Sequence, residues 1–138
     1  MTNTEPAPFG KNDRGSGKLR DYQGSLLPKN ARVTIQLAGS DPHAEVIREA
    51  KSRGASTIEA FIAPRTVEEE RTDAPMPVRL FIQSRMTDVV GWIPRGLEAP
   101  VIDTLRRLEE PGRSPRVPTA IVSTRHGLRV NLLIGQTR

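Results

Sequence analysis

The sequence contains no cysteine, which excludes disulfide cross-links, thiolate nucleophiles and cysteine-based zinc sites. Histidine is nearly as scarce. His43 and His126 are the only two, far apart and without the close spacing that metal ligands need, so neither a metal nor another cofactor is expected. Long apolar runs are missing as well: no stretch approaches the roughly 18 residues of a membrane span. The start Met1-Thr-Asn-Thr-Glu-Pro-Ala-Pro lacks the charged opening and apolar run of a signal peptide. These absences predict a soluble chain that suits a reducing cytoplasm, with no membrane partner. No Gly-x-Ser-x-Gly setting appears, and Gly15-Ser16-Gly17-Lys18 has neither the spacing nor the strand and helix of a phosphate loop. Glu68-Glu69-Glu70 reads as a charge run that keeps a Pro-flanked loop in water. No catalytic constellation emerges, and the expectation is a protein that is not an enzyme.

Positive charge is what the chain has in excess. The net charge is +5 with a calculated pI near 10.4, and 17 of the 21 basic residues are arginine. Arginine grips phosphate and carboxylate through paired hydrogen bonds, and a positive surface attracts polyanions at a distance. Nucleic acid or an acidic protein is therefore the natural class of partner.

Composition shifts near Ala31. Residues 1–31 are rich in Pro, Gly, Ser, Asn and charge and carry few large aliphatics, too little apolar surface to offset the entropy of ordering them. They are expected to form a disordered basic N-terminal tail, an electrostatic arm or a plain solvated extension. Residues 32–135 are expected to form a single domain. Val33, Ile35 and Leu37 alternate with polar residues, a strand pattern. Ser40 or Asp41 offers an N-cap, with Pro42 at the first turn of a helix that runs to about Arg53, where Gly54 can end it. Further strands are predicted over 57–63, 78–83, 89–93, 119–123 and 128–134. A second helix spans about Leu97–Glu109, with Leu97, Val101, Leu105 and Leu108 on one face. Arg65–Pro77 reads as a polar loop, and Ser84–Asp88 as the five-residue connection of a hairpin.

The order is β-α-β-β-β-α-β-β. Six short strands and two helices in so small a chain predict an α+β fold, a curled antiparallel sheet or partly closed barrel with helices at one side. Phe61, Phe81 and Trp92 fall inside strand patterns and are assigned to the core. That assignment leaves few exposed rings for stacking bases, so a nucleic-acid partner would be held mainly through its phosphates.

The stretch Val89-Val90-Gly91-Trp92-Ile93-Pro94-Arg95-Gly96-Leu97-Glu98-Ala99-Pro100-Val101-Ile102 resembles the HIRAN domain, with its strand, Val-Gly-Tyr-Leu-or-Ile-Pro-Arg-like turn and helix. Val78-Arg79-Leu80-Phe81-Ile82 is similar to that family's preceding strand, and Ile58 to Arg65 to an earlier one. The resemblance covers about residues 58–109 and implies an OB-like β-barrel with two helices, in a family some of whose members bind single-stranded DNA. It departs after Arg65, where the family's Asn-Pro-Tyr-Asp-like segment is replaced by Thr66-Val67-Glu68-Glu69-Glu70. Independently of the name, Gly91 suits a bulge or close backbone approach, and Pro94 and Gly96 make a structural corner.

The site expected on these grounds is a phosphate-binding face made by Arg95, Arg125, Arg129, Arg65 and Arg116, helped by the basic tail. Each arginine also has a plain structural reading; Arg129, for one, would lie on the solvent side of an alternating strand. The functional expectation is a non-catalytic nucleic-acid-binding module. The alternative is a protein–protein interaction module that docks a partner through a sheet edge or an apolar patch.

Overall fold

The alternating segments do pair. A computed structural model describes residues 9–24, 26–53 and 58–138, and six strands form one antiparallel sheet. Strands β1 (Ile35–Gln36), β2 (Ile58–Phe61), β3 (Pro77–Ile82), β4 (Arg85–Trp92), β5 (Arg116–Thr124) and β6 (Gly127–Leu132) lie in the order β1-β6-β5-β2-β3-β4. The sheet curls until its edges meet. Ala38, just beyond β1, exchanges two backbone hydrogen bonds with Trp92 at the end of β4, at 2.9 and 2.8 Å. The fold is α+β, a partly closed OB-like barrel.

Inside the curl the core is almost wholly aliphatic. Ile35, Leu37, Ile62, Val78, Leu80, Ile82, Val90, Ile93, Val117, Val130 and Leu132 are buried, each burial contributing roughly 1.5–3 kcal/mol. Helix α1 (Ala44–Ser52) contributes Ile47 and Ala50, and helix α3 (Glu98–Glu109) contributes Val101, Leu105 and Leu108. Phe61, Phe81 and Trp92 are not part of this core: all three are half-buried. Their strands were placed correctly, but their side chains face outward. Small barrels have narrow interiors, and aliphatic residues have already filled this one.

Three local expectations change. Residues 67–71 form a short helix, α2 (Val67–Arg71), inside the predicted loop, so there are three helices. The cause is a capping box: the Thr66 side chain accepts from the Glu69 amide, and the Glu69 carboxylate accepts from the Thr66 amide, satisfying two donors that the helix start would leave open. Glu68-Glu69-Glu70 thus line a first helical turn, where acids are favoured.

The β3–β4 hairpin turns in two residues, Gln83 and Ser84, at φ 50° and 66°. This is the type I′ arrangement that fits strand twist but usually recruits Asn-Gly. Ser40 caps no helix; its hydroxyl donates to the Val90 carbonyl at 2.9 Å, and a 3₁₀ turn over Asp41–His43 leads into α1. The predicted helix stop at Gly54 and strand start at Thr57 lie outside the described residues.

The largest correction concerns the expected tail. Among the described residues of 9–31 the chain lies against the barrel. Ser16 exchanges backbone hydrogen bonds with Gln36 on the free edge of β1, both at 3.0 Å. Gly15, at φ +75°, is wedged so closely that a Cβ would lie 2.5 Å from the Gln36 carbonyl and 2.6 Å from Pro94. Tyr22 joins the core at 7% exposure, and a 3₁₀ turn at Leu19–Asp21 leads into it. This segment is called the strap below. Low apolar content predicted disorder because it counts only what a segment can bury by itself. The strap is instead held by backbone pairing and one buried ion cluster.

Candidate functional site: a basic strap over the barrel seam

Arg129 explains how the strap is held. Strand alternation puts it on the outer wall of β6, as expected, yet it is only 2% exposed because the strap covers it. Its guanidinium donates to the Asp41 carboxylate at 2.8 Å, to the Leu128 carbonyl at 2.9 Å and to the Asn12 carbonyl at 3.0 Å. Its Nε lies 3.4 Å from the carboxylate of Asp13, which is itself buried. Asp13 completes the latch by accepting from the Asp41 amide at 2.7 Å, while its carbonyl accepts from the Gly39 amide at 2.8 Å. A charge removed from water is tolerated only when paired and hydrogen-bonded. Here one arginine meets two carboxylates and two carbonyls.

The other expected site residues do not join Arg129. Arg65 and Arg95 converge on Asp73 and Glu98: Arg95 reaches Asp73 at 2.7 Å and Glu98 at 3.3 Å, and Arg65 reaches the same two at 3.1 and 3.7 Å. Two positive and two negative groups make a neutral cluster that ties the segment before β3 to the Pro94–Gly96 corner. Gly91 has the close backbone approach expected of it, since a Cβ would lie 2.9 Å from the Ala38 carbonyl.

Arg116 lies 3.7 Å over the ring of Phe81 and 3.8 Å from Glu59. Arg125 is exposed in the β5–β6 turn, beside His126. Arg116 and Arg125 mark the two ends of β5, roughly 30 Å apart at a strand rise of about 3.3 Å per residue. The five arginines therefore form no common face, and four of them are matched by carboxylates. Alternation shows which wall a side chain leaves from, but it cannot show which acid from a distant segment will meet it.

Once the ion pairs are set aside, the remaining positive charge has a clear location. Lys11, Arg14, Lys18, Arg20, Lys29 and Arg32 are all exposed. Among the described residues none of the six meets a carboxylate within 4.0 Å. The acids of the same stretch are Asp13, which is used by Arg129, and Asp21. Among the described residues six other cations also lack such a partner, Lys51, Arg85, Arg106, Arg113, Arg125 and Arg138, but they are spread over residues 51–138.

The signal was present in the sequence, where basic residues outnumber acidic ones over 11–32. By composition alone it belongs to a segment expected to be disordered, an electrostatic arm or a plain solvated extension. Folded down, the same charges sit on a segment held against the barrel, with Ser16 along β1, Gly15 against Pro94 and Ala31 against Gly135.

A second surface lies around the barrel. Paired residues share a face of the sheet, and the register sets Phe61 beside both Arg116 and Arg79, and Phe81 beside Glu59 and Met86. The exposed Met86, at 47%, and the two rings make an apolar patch. Its charges balance, Arg79 with Asp88 and Arg116 with Glu59.

No group of three or more His, Asp or Glu side chains suited to a metal occurs among the described residues. Among the described residues no helix is long and apolar enough to cross a membrane. Comparison with protein-family models, with curated proteins and with solved structures returns no match to this chain.

Proposed function

We propose that the chain is a non-catalytic nucleic-acid-binding module that grips phosphates through its strap. One observation carries the reading: six exposed cations, Lys11, Arg14, Lys18, Arg20, Lys29 and Arg32, lie in one short segment without acidic partners among the described residues. Exposed cations seated on a folded surface neutralise phosphates without the ordering cost that a free tail would incur on binding. The HIRAN-like stretch at 89–102 leans the same way, and the strap runs beside it at Pro94.

Binding of this kind is steeply salt-dependent and reads little sequence. The test is fluorescence anisotropy with labelled single- and double-stranded oligonucleotides across a salt series. Arg14→Ala, Lys18→Ala and Arg20→Ala combined should lower affinity and reduce the log–log salt slope by about 2 to 3. Arg95→Ala and Arg116→Ala should leave both nearly unchanged. Failure of the parent chain to bind any nucleic acid at low salt removes the reading.

The patch around Phe61 and Phe81 favours a second reading, a protein partner. Aromatic rings, methionine and arginine are the residues that interfaces concentrate, and the balanced charges there offer phosphates nothing. A partner docked on this patch would bind regardless of salt and lose affinity on Phe61→Ala, with the strap variants unaffected.

A further inference from the structure

Phe61, Phe81 and Met86 lie on three adjoining strands, β2, β3 and β4. The two rings are half-buried and Met86 is 47% exposed, all outside a barrel whose interior is aliphatic. Because strand pairing fixes their spacing, the patch meets a partner without the cost of ordering a loop. Two opposite charges stand in the same patch: the register sets Glu59 beside Phe81 and Arg116 beside Phe61. Their side chains are 37% and 32% exposed, and they approach each other only to 3.8 Å. A charged hydrogen bond is shorter, roughly 2.7–2.9 Å, so each group keeps room for a second partner of opposite sign.

An apolar centre with one charge of each sign beside it is complementary to itself. Let two such walls meet face to face about a two-fold axis lying in the plane of contact, between Glu59 and Arg116. Each carboxylate then lies over the other chain's guanidinium, and apolar groups meet apolar groups. A strongly acidic or strongly basic partner would leave one of the two charges opposed by its like.

We infer that this wall is a two-fold contact with a second copy of the chain, in which Phe61, Phe81 and Met86 supply the apolar centre and Glu59 and Arg116 fix the register. The inference rests on the protein-partner reading of the patch and names that partner; it does not involve the strap. From β5 to β4 the wall is four strands wide, about 14 Å at a spacing of about 4.8 Å. That is small beside the roughly 800 Å² per chain of a stable complex, so the pair forms reversibly and at high concentration.

The experiment is sedimentation equilibrium of the full chain, freed of nucleic acid, from about 10 μM to about 1 mM. The mass should rise from one chain toward two and no further, because a two-fold contact closes on itself. Phe81→Ala should weaken association about 10-fold or more. Glu59→Arg and Arg116→Glu should each do the same, since either change sets like charges opposite one another twice. An equimolar mixture of the two charge reversals should regain the parent's association as a mixed pair, a result that loss of folding cannot imitate.

A chain that stays single over the whole range, a mass that grows past two, or a mixture that associates no better than its components overturns the inference. If a different protein is then bound through the patch and lost on Phe61→Ala, only the second copy is wrong. If Phe61→Ala changes neither self-association nor the binding of another protein, the reading of the patch falls with it.

Discussion

The barrel wall has two sides that differ in what became of their arginines. On the β6–β1 side the strap lies over Arg129 and buries it between Asp13 and Asp41. On the β5–β2–β3–β4 side Arg116 stays partly in water and lies across Phe81. Both residues leave their strands toward the outside, and both meet a carboxylate. Only the covered one is locked, because an exposed pair gains little over hydration, whereas a buried one has no water to return to. Burial by a distant segment, rather than strand position, decides which arginine is structural.

That contrast can be tested by matched substitutions. Arg129→Ala should have the largest effect, about 3–5 kcal/mol of lost stability by urea denaturation, since it leaves the Asp13 carboxylate buried and unpaired. A small effect would mean that water reaches the latch and that the two sides are alike. Gly15→Ala comes next, at about 1–3 kcal/mol, because φ is +75° and the added methyl meets the Gln36 carbonyl. Amide exchange should then rise at Ser16 and Gln36 before it rises in the core.

Tyr22 offers a pH test of the covered side. Burial first, and the neighbouring Asp21 charge second, push its phenol up to about 12 from 10.0. Below pH 10 both the folded and unfolded chains keep the proton, so the contribution of this side chain is fully present. Between pH 10 and about 12 the unfolded chain ionises first, and stability on the order of 2 kcal/mol drains away. Tyr22 is the only tyrosine, so its ultraviolet titration is read directly. A midpoint near 10 would show that the strap is not seated at that pH. On the open side, Arg116→Ala should cost less than about 1 kcal/mol, the smallest effect in the series.

The element order was legible because strands with one buried face write their period into the sequence. The run Leu128, Val130 and Leu132 against Arg129 and Asn131 is an example. So was the corner at Gly91, Pro94 and Gly96, where backbone needs dictate residue type. The helix at Val67–Arg71 could also have been found, since Thr66 and Glu69 have capping-box spacing. The turn at Gln83 and Ser84 could not, because neither residue advertises a positive φ.

The candidate site was half legible. Its charges were counted, but the strap's docking depends on Asp13 meeting Arg129 more than a hundred positions later, a pairing that no local pattern contains. The rings misled for a related reason: a β-branched or aromatic residue marks a strand without saying which face it occupies.

The long reach of that latch orders events during synthesis. Asp13 and the cations around it leave the ribosome early, yet their seat on the barrel is not complete until β6, with Arg129, has been made. Until then the strap lacks the buried ion pair that seats it. It becomes part of the wall only when the final hairpin closes, so the cationic strap is among the last features of the molecule to mature.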